Sequence, residues 1–274
     1  MLYDNLRKIE PYVPGEQPKF KNIIKLNTNE NPYPPSKNVI EAIKNFDGNS
    51  LRLYPDPDIK ELSDVWANYI NESYEGMNIN SDNVFIGVGS DDVLSVAFQT
   101  FFNSGKPVLF PNITYSFYDV WCDVYNIPYK TIPLKNDFTI NADGYNIANG
   151  GIVIANPNAP TGIELSKDYI KKILDNNRDV VVIVDEAYVD FGGESMIPLI
   201  NEYENLVVVQ TFSKSRSMAG ARLGGAFADK RLIKAMKDVK FSINSYTISN
   251  LFIKAGIASI EDDEYFKTQV GKNS

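Results

Sequence analysis

Leu206-Val207-Val208-Val209-Gln210, running directly into Thr211-Phe212-Ser213-Lys214, is the stretch on which the fold turns. The first half is apolar and rich in β-branched side chains, so it reads as a strand buried on both faces of a parallel sheet. Lys214 then stands just past the carboxyl end of that strand, where open α/β sheets place their ligands. A lysine in that position forms a Schiff base with a carbonyl compound when burial or a nearby cation favours its neutral amine. Arg222, eight residues on, supplies such a cation or a partner for a phosphate. The competing reading is an ordinary surface lysine, and Lys214 alone does not displace it.

A second apolar run, Val180-Val181-Val182-Ile183-Val184, ends in Asp185-Glu186-Ala187-Tyr188. A carboxylate at the end of a buried strand is costly unless a cation meets it. The protonated ring nitrogen of pyridoxal 5′-phosphate (PLP) is one such cation, and a carboxylate there keeps the ring an electron sink. Tyr188, three residues further, is within reach of a ring hydroxyl. An N-cap for a following helix is the plainer reading of Asp185; Lys214, 29 residues downstream, tips the balance against it. A third run, Gly151-Ile152-Val153-Ile154-Ala155, enters Asn156-Pro157-Asn158-Ala159-Pro160-Thr161-Gly162, whose prolines and glycine set a tight turn.

Working outward, strand-like runs fall at Val84–Val88, Pro107–Phe110, Tyr129–Pro133, Ile152–Ala155, Val180–Val184, Leu206–Gln210 and Leu223–Ala228. Helix-like runs alternate with them near Ser36–Asn45, Asp58–Asn71, Asp91–Asn103, Ser116–Tyr125, Lys167–Asn176 and Asp229–Lys237. This alternation predicts an α/β fold, a mainly parallel seven-stranded sheet with helices on both faces. The first thirty residues, with Pro11, Pro14 and Pro18, read as an extended arm, and Ser245–Gln269 is helical in pattern.

Composition narrows the chemistry. A net charge of −8 argues against nucleic acid or an anionic membrane as partner. No run approaches the roughly 20 apolar residues of a membrane span. The lone cysteine, Cys122, rules out an internal disulfide framework and suits a reducing cytoplasm. The chain has no histidine, which removes imidazole acid–base catalysis, His-dependent nucleophiles and His-ligated zinc together. Proton transfer then falls to Lys, Tyr, Asp, Glu or a cofactor, with no metal among the expectations.

Asn156 to Gly162, Asp185 to Tyr188, the lysine segment and Arg222 together resemble fold-type-I PLP-dependent aminotransferases of the aspartate aminotransferase superfamily. Leu26-Asn27-Thr28-Asn29-Glu30-Asn31-Pro32, Arg52-Leu53-Tyr54-Pro55-Asp56, Asp185 through Phe191 and Thr211 through Lys214 resemble, more narrowly, the histidinol-phosphate aminotransferases. The resemblance implies that Lys214 carries PLP, Asp185 faces the ring nitrogen and Tyr188 the ring oxygen. Gly89, Ser90 and Asp91, after the strand ending in Gly87-Val88, would form a phosphate cup with Thr211, Ser213 and Arg222. Tyr115 matches the aromatic that stacks on the ring, its alternative being a core tyrosine. Tyr54 matches a tyrosine that reaches the cofactor phosphate of the neighbouring subunit, which implies a homodimer; a plain turn tyrosine is the other reading. Ala159 stands where the superfamily often has asparagine, and Asn158 is assigned in its place, ahead of Asn156. Tyr12, Glu30 and Asn31 fall in the substrate-facing arm.

The implied reaction is transamination between L-histidinol phosphate, a phosphorylated amino alcohol, and 2-oxoglutarate in histidine biosynthesis. Threonine-phosphate decarboxylase and the aromatic aminotransferases share the fold and are the rival activities. The resemblance divides the chain into an arm (1–30), a large PLP-binding domain (31–240) and the start of a small domain (241–274). It also implies a further half-domain with a substrate-binding arginine, so a shortened, catalytically impaired remnant is the third rival.

Overall fold

The computed structural model describes residues 2–17, 19–20 and 24–273. Met1, Pro18, residues 21–23 and Ser274, which the expected arm and terminal segment include, lie outside them. The elements in chain order are α1 (Lys37–Lys44), α2 (Lys60–Ser73), β1 (Val84–Gly87), α3 (Gly89–Phe101), β2 (Val108–Pro111), α4 (Tyr118–Tyr125), β3 (Tyr129–Ile132) and β4 (Gly151–Ala155). Then follow α5 (Lys167–Asn176), β5 (Val182–Asp185), β6 (Leu206–Thr211), β7 (Gly224–Ala228), α6 (Lys230–Ile243), α7 (Asn250–Glu261) and α8 (Asp263–Asn273).

The seven strand-like runs give one seven-stranded sheet, ordered β1-β7-β6-β5-β4-β2-β3, mostly apolar except for the exposed edge strand β3. β6, β5, β4, β2 and β3 run parallel, while β7 is antiparallel to both β6 and β1. The expected fold class therefore holds, with one reversed strand. Alternate side chains of the central strands enter opposite cores, because successive Cβ atoms point to opposite faces. Val182, Val184, Leu206 and Val208 join α2, α5 and α7. Ile183, Val207 and Val209 join α3, α4 and α6 on the other face. Each such fully buried side chain is worth roughly 1.5–3 kcal/mol against exposure.

The helix ends follow local chemistry. Ser36 Oγ accepts from Val39 N at 3.3 Å to open α1, and Asp229 accepts from Arg231 N at 2.9 Å to open α6. α6 runs on to Ile243, beyond the expected Lys237, and the helical stretch after Ser245 divides at Asp262 into α7 and α8. Trp66 of α2 meets Phe212 and Phe227 edge-on, with ring centroids 4.7 and 5.1 Å apart. Such pairs add about 0.5–1.5 kcal/mol beyond burial and pin the backbone just before Ser213 and Lys214. Among the described residues no helix is long and apolar enough to cross a membrane.

Candidate active site

β5 and β6 are adjacent and parallel, with Asp185 opposite Val209, so the segments leaving their carboxyl ends start side by side. These segments bring Asp185, Ala187, Tyr188, Ser213 and Lys214 to the wall of one cavity of about 350 Å³, a size typical of small-ligand sites. Ser90 and Asp91 from the start of α3, Tyr115, Arg222 and Glu30 also line it.

Asp185 forms the floor. It is 5 % exposed and accepts from Tyr118 Oη at 2.9 Å and from Ala187 N at 3.3 Å. Burial raises its carboxyl to about 6, against the pull of those two bonds. Burial lowers the Lys214 ammonium below its ordinary 10.5, and the charge of Arg222 lowers it further against the carboxylate of Asp91. The Lys214 Nζ donates to Thr28 O at 2.9 Å and lies 5.6 Å from the centre of the Tyr188 ring. Tyr188 Oη accepts from Asn29 Nδ2 at 2.8 Å.

The far end is shaped for an anion. α3 opens without a side-chain cap, so its first amides are left to an outside acceptor. Gly89 has φ +80°, and a Cβ there would sit 2.5 Å from Arg222 Nη2. Gly224 of β7 lets this turn rest on the strand, since a Cβ would come within 2.6 Å of Ser90 N. Arg222 itself is held at φ 55°, a left-handed conformation that costs a non-glycine residue about 1–2 kcal/mol. Its guanidinium reaches Ser213 Oγ and Asp91 Oδ2, each at 3.5 Å. Tyr115, on the cavity wall, donates to Asp91 Oδ1 at 2.8 Å.

Residues 21–273 match the family of class I and II aminotransferases. A histidinol-phosphate aminotransferase of Lactococcus lactis subsp. cremoris is 53 % identical over 98 % of this chain and 74 % of its own length. The chain belongs to the histidinol-phosphate aminotransferase family. A second relative of that name, from Brachyspira hyodysenteriae, is 52 % identical over 99 % of this chain and 75 % of its own length. The Sinorhizobium meliloti enzyme of that name, solved in complex with pyridoxal 5′-phosphate, superposes with a TM-score of 0.79 at 22 % identity, covering 89 % of this chain and 66 % of that one. That likeness shows the shared fold, the PLP transferase fold of type I.

In this histidinol-phosphate aminotransferase family member, the remaining expected positions lie outside the cavity wall. Thr211 Oγ1 bonds Ser213 Oγ at 3.0 Å and Leu223 O at 3.3 Å, bracing the lysine turn from behind. Asn31 Nδ2 donates to Lys214 O at 3.0 Å. Tyr12 stacks on Phe117 at 4.2 Å. Tyr54 is 80 % exposed and packs against Tyr246, 4.6 Å between ring centres. The amide of Asn158 is taken up by Thr114, Ile113 and Thr161, and Pro157 and Ala159 face the cavity instead. Asn156 is likewise engaged with both backbone groups of Leu165. Sequence reasoning passed over Tyr118, Thr28 and Gly224. Only Gly224 left a signal, a glycine pair inside an otherwise apolar strand.

Proposed function

We propose that this protein transfers the amino group of L-histidinol phosphate to 2-oxoglutarate in L-histidine biosynthesis, with PLP bound in the cavity between β5, β6 and the start of α3. The observation that carries the reading is that Lys214 and Asp185 line one cavity with Arg222 and the uncapped start of α3. The identity of about one half to curated histidinol-phosphate aminotransferases, over nearly the whole chain, supports the substrate pair.

The residues present fit PLP. Asp185 is a buried carboxylate with no cation bonded to it among the described residues, which a ring N–H would satisfy. The phosphate end has a positive-φ glycine beneath a guanidinium, where a side chain would fill the cradle. When bound, PLP supplies an aldehyde for the amine and an electron sink for the carbon that loses its proton.

The chain's own groups then divide the work. Lys214 holds the cofactor and, once freed, its Nζ moves the proton from the amine-bearing carbon; its lowered basicity keeps a larger share neutral. Asp185 is ionised above about pH 6 and so faces the ring nitrogen as an anion. Tyr188 would donate to the ring oxygen, and Tyr115 would stack on the ring face. Gly89, Ser90, Asp91, Thr211, Ser213 and Arg222 form and brace the phosphate cup, with Asp91 contributing its amide. Glu30 and Tyr12 belong to an arm (1–30) that covers the site of the large domain (31–240), Asn31 stands at the start of that domain beside the arm, and 241–274 opens the small domain. Asn158 acts at one remove, by fixing the turn that carries Ala159.

A cytoplasmic homodimer is part of this reading. Tyr54 is exposed beside Leu51 and Leu53, 63 % and 55 % exposed, a surface suited to a second copy. The test is to add PLP to wild type and Lys214→Ala, reduce with borohydride and desalt. Retention by the wild type alone is the expected result, and the unreduced wild-type enzyme is expected to transfer the amino group of histidinol phosphate without releasing carbon dioxide. Equal retention by Lys214→Ala contradicts the assignment.

A further inference from the structure

The motif that supplies Asp185 and Tyr188 runs on to Asp190, a carboxylate that the chemistry above does not use. Asp190 is partly buried in the 3-10 turn Val189–Phe191, two residues past Tyr188. Its Oδ2 accepts a hydrogen bond from Ser215 Oγ, and Ser215 is the 3 % exposed neighbour of Lys214. Behind them stands Arg216, 4.1 Å from the Phe266 ring centre and 5.2 Å from that of Tyr69, with Nη1 donating to Ser259 O at 2.7 Å. Burial raises the Asp190 carboxyl, while the Ser215 bond and the charge of Arg216 pull it back down.

The placement matters because the β5–β6 ladder stops at the cavity floor, before Tyr188 and Lys214. Its register ends with Asp185 opposite Val209, followed by one further bond, Glu186 N to Val209 O at 2.8 Å. Beyond that point Tyr188 and Lys214 sit on separate segments, and the spacing of their side chains needs another tie. Ser215 and Asp190 span the two segments one residue past Lys214 and two past Tyr188. A charge-assisted bond of this kind is short, directional and stronger than a neutral one.

We propose that Ser215 and Asp190, backed by Arg216, form a latch that holds the Lys214 amine in register with Tyr188, and that all three are positioning residues. The proposal rests on the reading that Lys214 captures PLP. The amine so held is faced by the carboxylates of Asp91, Glu30 and Asp185 and by the guanidinium of Arg222.

The experiment uses the cofactor-free full chain as wild type, Ser215→Ala, Asp190→Asn and Lys214→Ala. PLP affinity, the pH dependence of the PLP capture rate and the thermal midpoint are measured for each. Ser215→Ala is expected to weaken PLP by about tenfold, the loss of one bond to a charged group. Its capture profile moves to higher pH, because an amine released toward water regains the basicity that burial removed. Asp190→Asn keeps an acceptor but loses the charge facing Arg216, and shifts the profile in the same direction by less. Wild-type affinity and an unmoved profile in both variants overturn the latch. So does a lowered thermal midpoint with the profile unmoved, since that is what a purely structural bond predicts. Failure of wild-type capture, or equal capture by Lys214→Ala, instead brings down the assignment of Lys214, and the latch with it.

Discussion

Tyr118 donates its hydroxyl to Asp185 Oδ2 at 2.9 Å, from a fully buried position behind the cavity floor that Asp185 forms. The bond opposes the burial that lifts the Asp185 carboxyl to about 6. Tyr118→Phe removes the opposing influence and leaves the shape of the core unchanged, so the carboxyl rises further. Asp185 then loses its charge over a wider acid range, and with it the attraction for a protonated ring nitrogen. PLP titration followed by fluorescence is expected to show roughly 3- to 10-fold weaker binding, the net value of one ordinary hydrogen bond felt through Asp185. The loss is greater at pH 6 than at pH 8. A uniform loss at both pH values would detach Tyr118 from the ionisation of Asp185.

Arg222 and Gly89 meet so closely that a Cβ on the glycine would fall 2.5 Å from the guanidinium. Arg222→Gln is expected to weaken PLP by roughly 10- to 100-fold through the loss of a charged donor. Pyridoxal, which has no phosphate, should bind almost as before. Gly89→Ala should repeat the pattern, because it displaces Arg222 and strains a backbone at φ +80°. Comparable losses for both ligands would move the phosphate away from this end of the cavity.

Lys214 and Asp185 were legible in the sequence because each is a charged residue at or soon after the end of an apolar run, and Arg222 because it follows Lys214 by eight residues. An ion placed there must be met by a partner or a ligand. The sheet was legible for a related reason, since strands buried on both faces are continuous apolar segments. Tyr118 was not, because it sits in an amphipathic helix where a tyrosine reads as core; only the crossing of α4 over β5 aims its hydroxyl at Asp185. The Thr28 carbonyl, like any main-chain group, leaves no trace in the sequence. Asn158 shows the converse: its residue type suits the cavity, but three local partners hold its amide within the turn.

Glu186 points away from the cavity and is 2 % exposed, accepting from Met196 N at 2.5 Å, Ser195 Oγ at 2.8 Å and Gln210 Nε2 at 2.9 Å. Burial lifts its carboxyl from 4.5 to about 7 in spite of these donors. A raised folded-state value means that the fold prefers the protonated form. The stability this preference contributes is complete below pH 4.5 and is lost as the pH rises through about 7. The loss amounts to about 3 kcal/mol by pH 8. Asp185, raised to about 6, adds to the same trend. In urea unfolding of the cofactor-free protein, Glu186→Gln should therefore lose less stability than the wild type between pH 5 and pH 8. Equal losses would show that Glu186 does not titrate across that range.

Tyr54 is 80 % exposed, rests against Tyr246 and is absent from the cavity wall. If it serves the site of a second copy, Lys214→Ala and Tyr54→Ala damage different halves of a shared centre. Each variant alone is expected to transfer amino groups poorly. Mixed, unfolded and refolded together in equal amounts, half of the dimers combine both chains, and one of their two sites regains an intact lysine and an intact tyrosine. Activity should then recover to about a quarter of wild type, as a two-fold symmetric pairing requires. A tyrosine acting only within its own subunit gives a different result. Every site then lacks either the lysine or the tyrosine, and the mixture stays at the average of its two components.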